Sequence, residues 1–164
     1  MSRKGLIGAA LLATFAWSSA PMAQLPNQYG APIGVEQARK IAAAAIAEGK
    51  KNGWTVAVAV VDTGGILVYF ERIDGTQIGS SEVAVRKAQS ANAFKRPSKV
   101  FEDAVAGGRN VVMTLPGALP LEGGLPLVVD GKIVGAVGVS GATSAQDGEC
   151  AKAGVEALGP AKPQ

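Results

Sequence analysis

Residues 119–147 read LPLEGGLPLVVDGKIVGAVGVSGATSAQD, and this stretch decides the fold. It holds two apolar runs, LPLVV and IVGAVGVS, that are joined by Asp130-Gly131-Lys132. An Asp-Gly pair between two such runs predicts a β-hairpin, because a type I′ turn needs a positive φ at both central residues. Six glycines lie between Gly123 and Gly141, so the backbone closely approaches either other backbone or a ligand.

The sequence before and after this hairpin predicts four helices and a second pair of strands. The predicted elements are a helix at 35–51 ended by Asn52-Gly53, strands at 54–62 and 66–73, a helix capped by Ser80 or Ser81 and running through Phe94, a helix at 99–107 capped by Ser98, and a helix from a capping box at Ser144 and Asp147 to about Leu158. Because both strand pairs have hairpin connections, this order predicts an α/β fold of the α+β type. Helices then cover an antiparallel sheet, and the order argues against a doubly wound parallel sheet.

The ends of the chain predict an exported protein with a single domain. Residues 1–23 have a basic start at Arg3 and Lys4 and an apolar stretch too short to span a bilayer, which is typical of a signal peptide. We expect a flexible lead-in at 24–34, one domain at 35–159, a tail at 160–164, and a periplasmic or secreted location.

Composition excludes several kinds of chemistry. The chain has no histidine, which excludes Ser-His-Asp and Cys-His nucleophile systems, the usual zinc sites and histidine-ligated haem. Without Arg3 and Lys4, 14 basic residues face 13 acidic ones, so the sequence gives no case for nucleic-acid binding. The single cysteine, Cys150, excludes a disulfide within the chain.

Several motifs, in this order and spacing, resemble the GlcG/HbpS-type family of haem-binding proteins, also called the haem-degrading domain family. They are VAVAVVDTGG at 56–65, FERIDG at 70–75, AVRKAQSANAF followed by RPS, and LPLEGGLPLVVDGKIVGAVGVSG with Gln146-Asp147. The resemblance covers about residues 35–158. It implies a profilin-like domain with a five-stranded antiparallel sheet flanked by helices. It also implies haem as the cofactor and a homo-oligomer built from dimers, often an octamer.

The resemblance leads to candidate ligands for the haem iron. The PduO-type members use a histidine, which is absent here, and the secreted sensor member uses a threonine in the loop before its Pro-Gly. The corresponding loop here, 109–114, ends in Met113 and Thr114; a methionine is a soft haem ligand and a threonine hydroxyl a weak one. The alternative for Met113 is packing over the sheet. Cys150 and Tyr69 are further donors, each better interpreted as a packed residue.

Two basic residues are candidates for binding a carboxylate such as a haem propionate. Arg72 ends the second strand, and Lys87 follows Val83 by four residues on a helix, so it points at least partly into the protein. A lysine in that position needs an acidic partner, and Asp62 or Glu122 is expected. A structural ion pair is the alternative interpretation of Lys87.

Glu122 is the best-placed candidate for acid–base catalysis, because the loop glycines Gly123 and Gly124 leave room for a ligand. One function and two alternatives to it follow from the sequence and the resemblance. The first is an exported protein that binds haem or a similar tetrapyrrole for storage, sensing or degradation. The second is a cofactor-free enzyme on a small hydroxy or oxo acid, using Glu122 and Lys87, or else an accessory subunit of an exported dehydrogenase.

Overall fold

The computed structural model describes residues 27–159, and the helices and strands follow one another in the expected order. The elements are α1 Val35–Lys51, β1 Ala57–Asp62, β2 Leu67–Arg72, α2 Ser80–Phe94, α3 Lys99–Ala106, a 3-10 helix Asn110–Thr114, β3 Gly124–Val129, β4 Lys132–Ser140 and α4 Ser144–Glu156. Helix α1 and the start and end of α2 agree with the sequence prediction. The predicted strands 54–62 and 66–73 are each shorter in the structure.

The four strands form one antiparallel sheet in the order β2-β1-β4-β3. The hairpin between β3 and β4 turns at Asp130 and Gly131, whose φ angles are 50° and 72°. Both angles are positive, as the type I′ prediction requires. Residues 119–147 therefore supply one central strand, β4, and one edge strand, β3.

The two faces of the sheet are covered by different helices. One face carries Val58, Val60, Val137 and Val139 and packs against α1 and α4. The other face carries smaller residues and packs against α2; these are Ala57, Ala59, Ala136 and Gly138. Small side chains on that face let the backbone of α2 come close to the sheet. Strand β1 is consequently buried on both faces, as its uniform apolar sequence predicts.

The predicted helix caps are wrong for α2 and α4, whereas Ser98 is the N-cap residue of α3, as predicted. The N-cap residue of α2 is Gly79, in place of Ser80 or Ser81, and the Ser98 side chain makes no capping hydrogen bond to α3. Helix α4 is capped by Thr143, whose hydroxyl accepts from the Gln146 amide, in place of Ser144 and Asp147. The Ser80 hydroxyl is buried without a hydrogen-bond partner among the described residues. Ser98 and Asp147 are also buried, and their side chains bind residues that are distant in the chain, so long-range contacts compete there with local capping.

A five-stranded sheet is not confirmed: the described residues form four strands. The lead-in adds a single parallel bridge between Tyr29 and Ile133. Much of the predicted flexible lead-in is bound to the sheet, because the amides of Gly30 and Ile33 donate to β4 carbonyls at 2.7 and 2.8 Å. The predicted signal peptide, residues 24–26 and the tail at 160–164 lie outside the described residues.

Candidate functional site

Lys87 lies in the interior of the domain and is 2% exposed. Its Nζ is 2.7 Å from Oδ2 of Asp147, which is also buried, and the other oxygen of Asp147 accepts from the Ala142 amide at 3.0 Å. The expectation that Lys87 pairs with Asp62 or Glu122 is therefore wrong. Asp62 accepts from the amides of Gly64 and Ile66 in its own turn.

The buried pair sits directly beneath the two glycines of the candidate site. A Cβ on Gly123 would lie 2.9 Å from the Lys87 Nζ and 2.7 Å from the Val139 carbonyl oxygen, and a Cβ on Gly124 would overlap the Lys87 carbonyl. Burial raises the pKa of the Asp147 carboxyl, and the Lys87 ammonium and the amides of Ala142 and Gly141 offset part of that rise. Both glycines are thus required by packing around the pair.

Lys87 is unavailable as an anchor for a dissolved ligand, and the structure does not bring it together with Glu122. The Glu122 carboxylate turns towards α4 instead, where a Cβ on Gly148 would lie 2.6 Å from its Oε1. Its Oε2 is 3.6 Å from the Nζ of Lys99 on α3. The predicted catalytic pair is therefore not formed, and of the two interpretations of Lys87 the ion pair is correct.

Glu122, Gly123 and Gly124 do line a cleft, which we call the diglycine cleft. Its volume is about 310 Å³, and its lining is mostly apolar. The lining residues are Pro97, Lys99, Glu122, Gly123, Gly124, Leu125, Gly148 and Lys152. The expectation that Glu122 lies beside a space for a ligand is consistent with this geometry.

Ser98 anchors the loop that carries Glu122 and the two glycines. Its hydroxyl donates to the Leu121 carbonyl and accepts from the Gly124 amide at 2.9 Å, while the Glu122 amide donates to the Glu102 carboxylate. Sequence reasoning missed Ser98, Lys99, Gly148 and Lys152 as site residues. Ser98 precedes a helix and resembles a cap, and no local pattern marks the other three.

Met113 and Thr114 lie away from the buried pair, on the exposed 3-10 helix and its C-terminal end. We call residues 110–115 the Met113 segment. Met113 is 60% exposed, and the apolar side chains of Val111 and Leu115 are also exposed. Met113 does not pack over the sheet, so that alternative is wrong. The Thr114 hydroxyl donates to the Val111 carbonyl at 2.8 Å.

Arg72 is exposed at the end of β2. Arg72 pairs with Ala57 on β1, and Ala57 pairs with Ser140 on β4. Strand β3 lies beyond β4, so it is three strand spacings from Arg72, roughly 14 Å. The structure therefore does not bring Arg72 together with Lys87 or with the glycines.

Tyr69 is half-buried, and its hydroxyl donates to Glu71 at 2.8 Å. This hydrogen bond raises the pKa of Tyr69 and disfavours a phenolate ligand.

Cys150 is fully buried on α4, and burial is the main cause that raises the pKa of its thiol to about 11.

Since the thiol of Cys150 ionises near pH 9 in the unfolded chain, the free energy of unfolding should fall as the pH rises from 9 to 11. The expected loss is about 2 to 3 kcal/mol at most. The measurement is urea unfolding of wild type and Cys150→Ala across this range. Other groups titrate equally in both proteins, so curves that stay parallel would contradict the assignment.

Residues 27–159 contain neither a membrane-spanning helix nor a metal-binding cluster of acidic, histidine and cysteine side chains. No helix in that range is long and apolar enough to cross a membrane. Nor does the range hold a group of three or more histidine, cysteine, aspartate or glutamate side chains placed to bind a metal ion.

Comparison with known proteins places residues 33–156 in the family described as haem degrading protein HbpS-like. The chain is 43% identical to the protein GlcG of Escherichia coli K12 over 105 residues, which are 64% of this chain and 78% of GlcG. It is 32% identical to a double mutant of Streptomyces reticuli HbpS, with a TM-score of 0.72 over 92% of this chain and 99% of that one. A crystal structure of a PduOC–haem complex is 25% identical, with a TM-score of 0.71 over 81% of this chain and 99% of that one.

Proposed function

The chain belongs to the family of HbpS-like haem degrading proteins, and we propose that it binds haem, or a similar flat tetrapyrrole, on the exposed Met113 segment. The observation that carries this proposal is the exposure of Met113. A protein without histidine needs another donor for haem iron, and a methionine thioether is one that natural haem sites use. Met113 is the only methionine in the sequence after Met22.

The residues around Met113 fit a flat, apolar, carboxylated ligand. Val111 and Leu115 present apolar side chains to solvent on either side of Met113 in the sequence. Arg109 directly precedes the segment, is exposed, and makes no salt bridge among the described residues, so its guanidinium is available to a propionate. Met113 would hold the iron and Arg109 a carboxylate, and bound haem would supply the redox chemistry of its iron.

Thr114 is the weaker of the two candidate ligands. Its hydroxyl hydrogen is engaged with the Val111 carbonyl, and a neutral hydroxyl is a poor donor to iron. The exposed side chains of Val111, Met113 and Leu115 favour exchangeable binding at a surface or between protomers of a homo-oligomer. Such binding suits storage, sensing or slow degradation of haem better than tight retention in a deep pocket.

Titration of haemin into the protein lacking residues 1–23 tests this function through the Soret absorption. We expect saturation at micromolar haemin for wild type. Met113→Leu keeps the apolar volume but removes the sulfur, and it should weaken binding at least tenfold, about 1.4 kcal/mol. Thr114→Val is the matched control and should bind within twofold of wild type. Equal affinity for Met113→Leu, or no saturable change at all, would reject the site.

We also propose that the protein is exported to the periplasm or secreted, with cleavage between Ala23 and Gln24. The support is the basic start, the short apolar stretch and the small residues that follow it. Fractionation of producing cells, with mass measurement of the purified chain, should find a product that begins at Gln24 outside the cytoplasm. A cytoplasmic chain that keeps Arg3 and Lys4 would contradict export.

A further inference from the structure

Strand β2 forms one edge of the sheet, and alternate residues of it direct their backbone groups away from the sheet. The Ile73 amide, directly after β2, donates to the Val56 carbonyl at 3.3 Å. Because successive residues of an antiparallel strand point their backbone groups to opposite sides, those of Phe70 and Arg72 face outward. This edge therefore offers free donors and acceptors to another strand.

The opposite edge, β3, is protected against such pairing. Its Pro126 has no amide hydrogen, and both the amide and the carbonyl of Gly124 bind Ser98 at 2.9 Å. Strand β2 reads LVYFER, which holds neither proline nor lysine, the residues that commonly blunt an exposed edge. Of the two edges, β2 is the one open to a partner strand.

Strand β2 also exposes apolar side chains on one face. Phe70 pairs with Ala59 on β1, whose side chain packs against α2. Leu67 lies on the same face, opposite Val61. Helix α2 packs over β1, β4 and β3, and it leaves Phe70 37% and Leu67 46% exposed. A strand added beside β2 would remove this apolar surface from water.

Charges on the other face of β2 select a second copy of this chain as the partner. The Arg39 guanidinium lies 5.9 Å from the centre of the Tyr69 ring. Neither Arg39 nor Glu71 makes a salt bridge among residues 27–159. When two β2 strands pair antiparallel about a twofold axis at Phe70, each Tyr69 lies opposite Glu71 of the other copy. That carboxylate then lies beside the Arg39 guanidinium, and symmetry forms this ion pair twice.

We propose that β2 is a dimerisation edge, at which two copies pair antiparallel about a twofold axis at Phe70 and their sheets become continuous. The outward backbone groups of Phe70 bond those of its symmetry mate. An axis at Glu71 would instead place two carboxylates opposite each other. The surface holds no residue of the Met113 segment, so the dimer forms without haem.

Sedimentation equilibrium of the haem-free chain that starts at Gln24 tests the surface. We expect a dimer at micromolar concentration. Phe70→Lys sets two ammonium groups opposite each other and removes apolar contact, so it should raise the dissociation constant of the dimer at least about tenfold. Val128→Lys, at a position of β3 that is 41% exposed, is the matched control and should leave the dissociation constant unchanged.

Charge reversal separates a contact between copies from one within a chain. Arg39→Glu and Glu71→Arg each place like charges across the interface, so each variant alone should dimerise more weakly than wild type. An equimolar mixture of the two variants should form heterodimers, because opposite charges then meet at both symmetry-related contacts.

Three outcomes would overturn the proposal. A wild-type chain that stays monomeric at high micromolar concentration would leave the β2 edge to a strand of another protein. Equal dissociation constants for Phe70→Lys and Val128→Lys would place the dimer contact on another surface. A mixture of Arg39→Glu and Glu71→Arg that dimerises no better than either variant alone would reject the twofold axis at Phe70.

Discussion

Replacing Lys87 by methionine is expected to lower the free energy of unfolding by about 3 to 5 kcal/mol at pH 7. The substitution preserves most of the side-chain volume but leaves the Asp147 carboxylate buried without its ammonium partner, which lies 2.7 Å away in the wild type. Lys87 and Asp147 are 2% and 3% exposed at their side chains, so water cannot replace the lost charge.

The pH dependence of this variant has a definite sign. Burial already raises the pKa of Asp147, and loss of the ammonium raises it further. The Asp147 carboxyl then has a higher pKa in the folded protein than in the unfolded chain. Below the unfolded-state pKa this group does not lower the free energy of unfolding, whereas the free energy of unfolding falls as the pH rises through the folded-state pKa. Lys87→Met should therefore be least destabilised near pH 4 and progressively more so towards neutral pH.

Urea unfolding of four proteins measures the effect: wild type, Lys87→Met, the double variant Lys87→Met with Asp147→Leu, and the exposed control Lys50→Met. The double variant removes the unpaired charge and should recover part of the stability, although the Ala142 amide then loses its acceptor. Loss of less than 1 kcal/mol in Lys87→Met, or a double variant no more stable than the single one, would contradict a buried ion pair.

Substitution of Gly138 by alanine should destabilise the domain by more than about 3 kcal/mol, the upper range of overpacking effects. Gly138 lies in the central strand β4 under α2. A Cβ there would overlap the Ala84 carbonyl, and it would lie 2.5 Å from the Ala88 amide nitrogen and 3.1 Å from the Ala88 Cβ. Since two of these atoms are backbone, relief requires α2 to move away from the sheet.

A glycine in open space provides the matched control. Gly79 precedes α2 at φ −59° and has nothing within 4 Å of a Cβ, so Gly79→Ala should be neutral or stabilise by up to about 1 kcal/mol. Thermal and urea unfolding of both variants checks the contrast. A Gly138→Ala protein with wild-type stability would show that α2 does not pack against β4 as closely as described.

Elements whose signals are local were predictable from the sequence. Helix α1 follows its apolar periodicity and ends at Asn52 and Gly53, and the Asp130-Gly131 turn has the φ angles that its residues favour. Glycines are a different case. The sequence indicates close approach at Gly124 and Gly138, but only the docking of α2 shows that the neighbour is backbone.

The interior of the site was less predictable, because its contacts join distant parts of the chain. Lys87 and Asp147 are 60 residues apart, and their pairing depends on how α2 and α4 dock on the sheet. Ser98 has the sequence context of a helix cap, yet its hydroxyl binds residues 23 and 26 positions away. Polar groups that pair through tertiary contacts leave no periodic pattern in the sequence. The partners of Lys87 and Ser98 therefore could not be identified from the spacing of residues along the chain.

The most direct test of haem binding at Met113 is the methyl NMR signal of methionine in the chain that starts at Gln24. That chain has a single methionine, so methyl-labelled methionine gives one assigned resonance. Coordination of the sulfur would hold this methyl close to the haem, where the porphyrin ring current and the unpaired electrons of ferric iron would move its resonance far from the position that it has in the free protein. We predict that shift, at a haem stoichiometry matching the Soret titration. A methionine signal that stays in its free position while haem is bound would contradict the account.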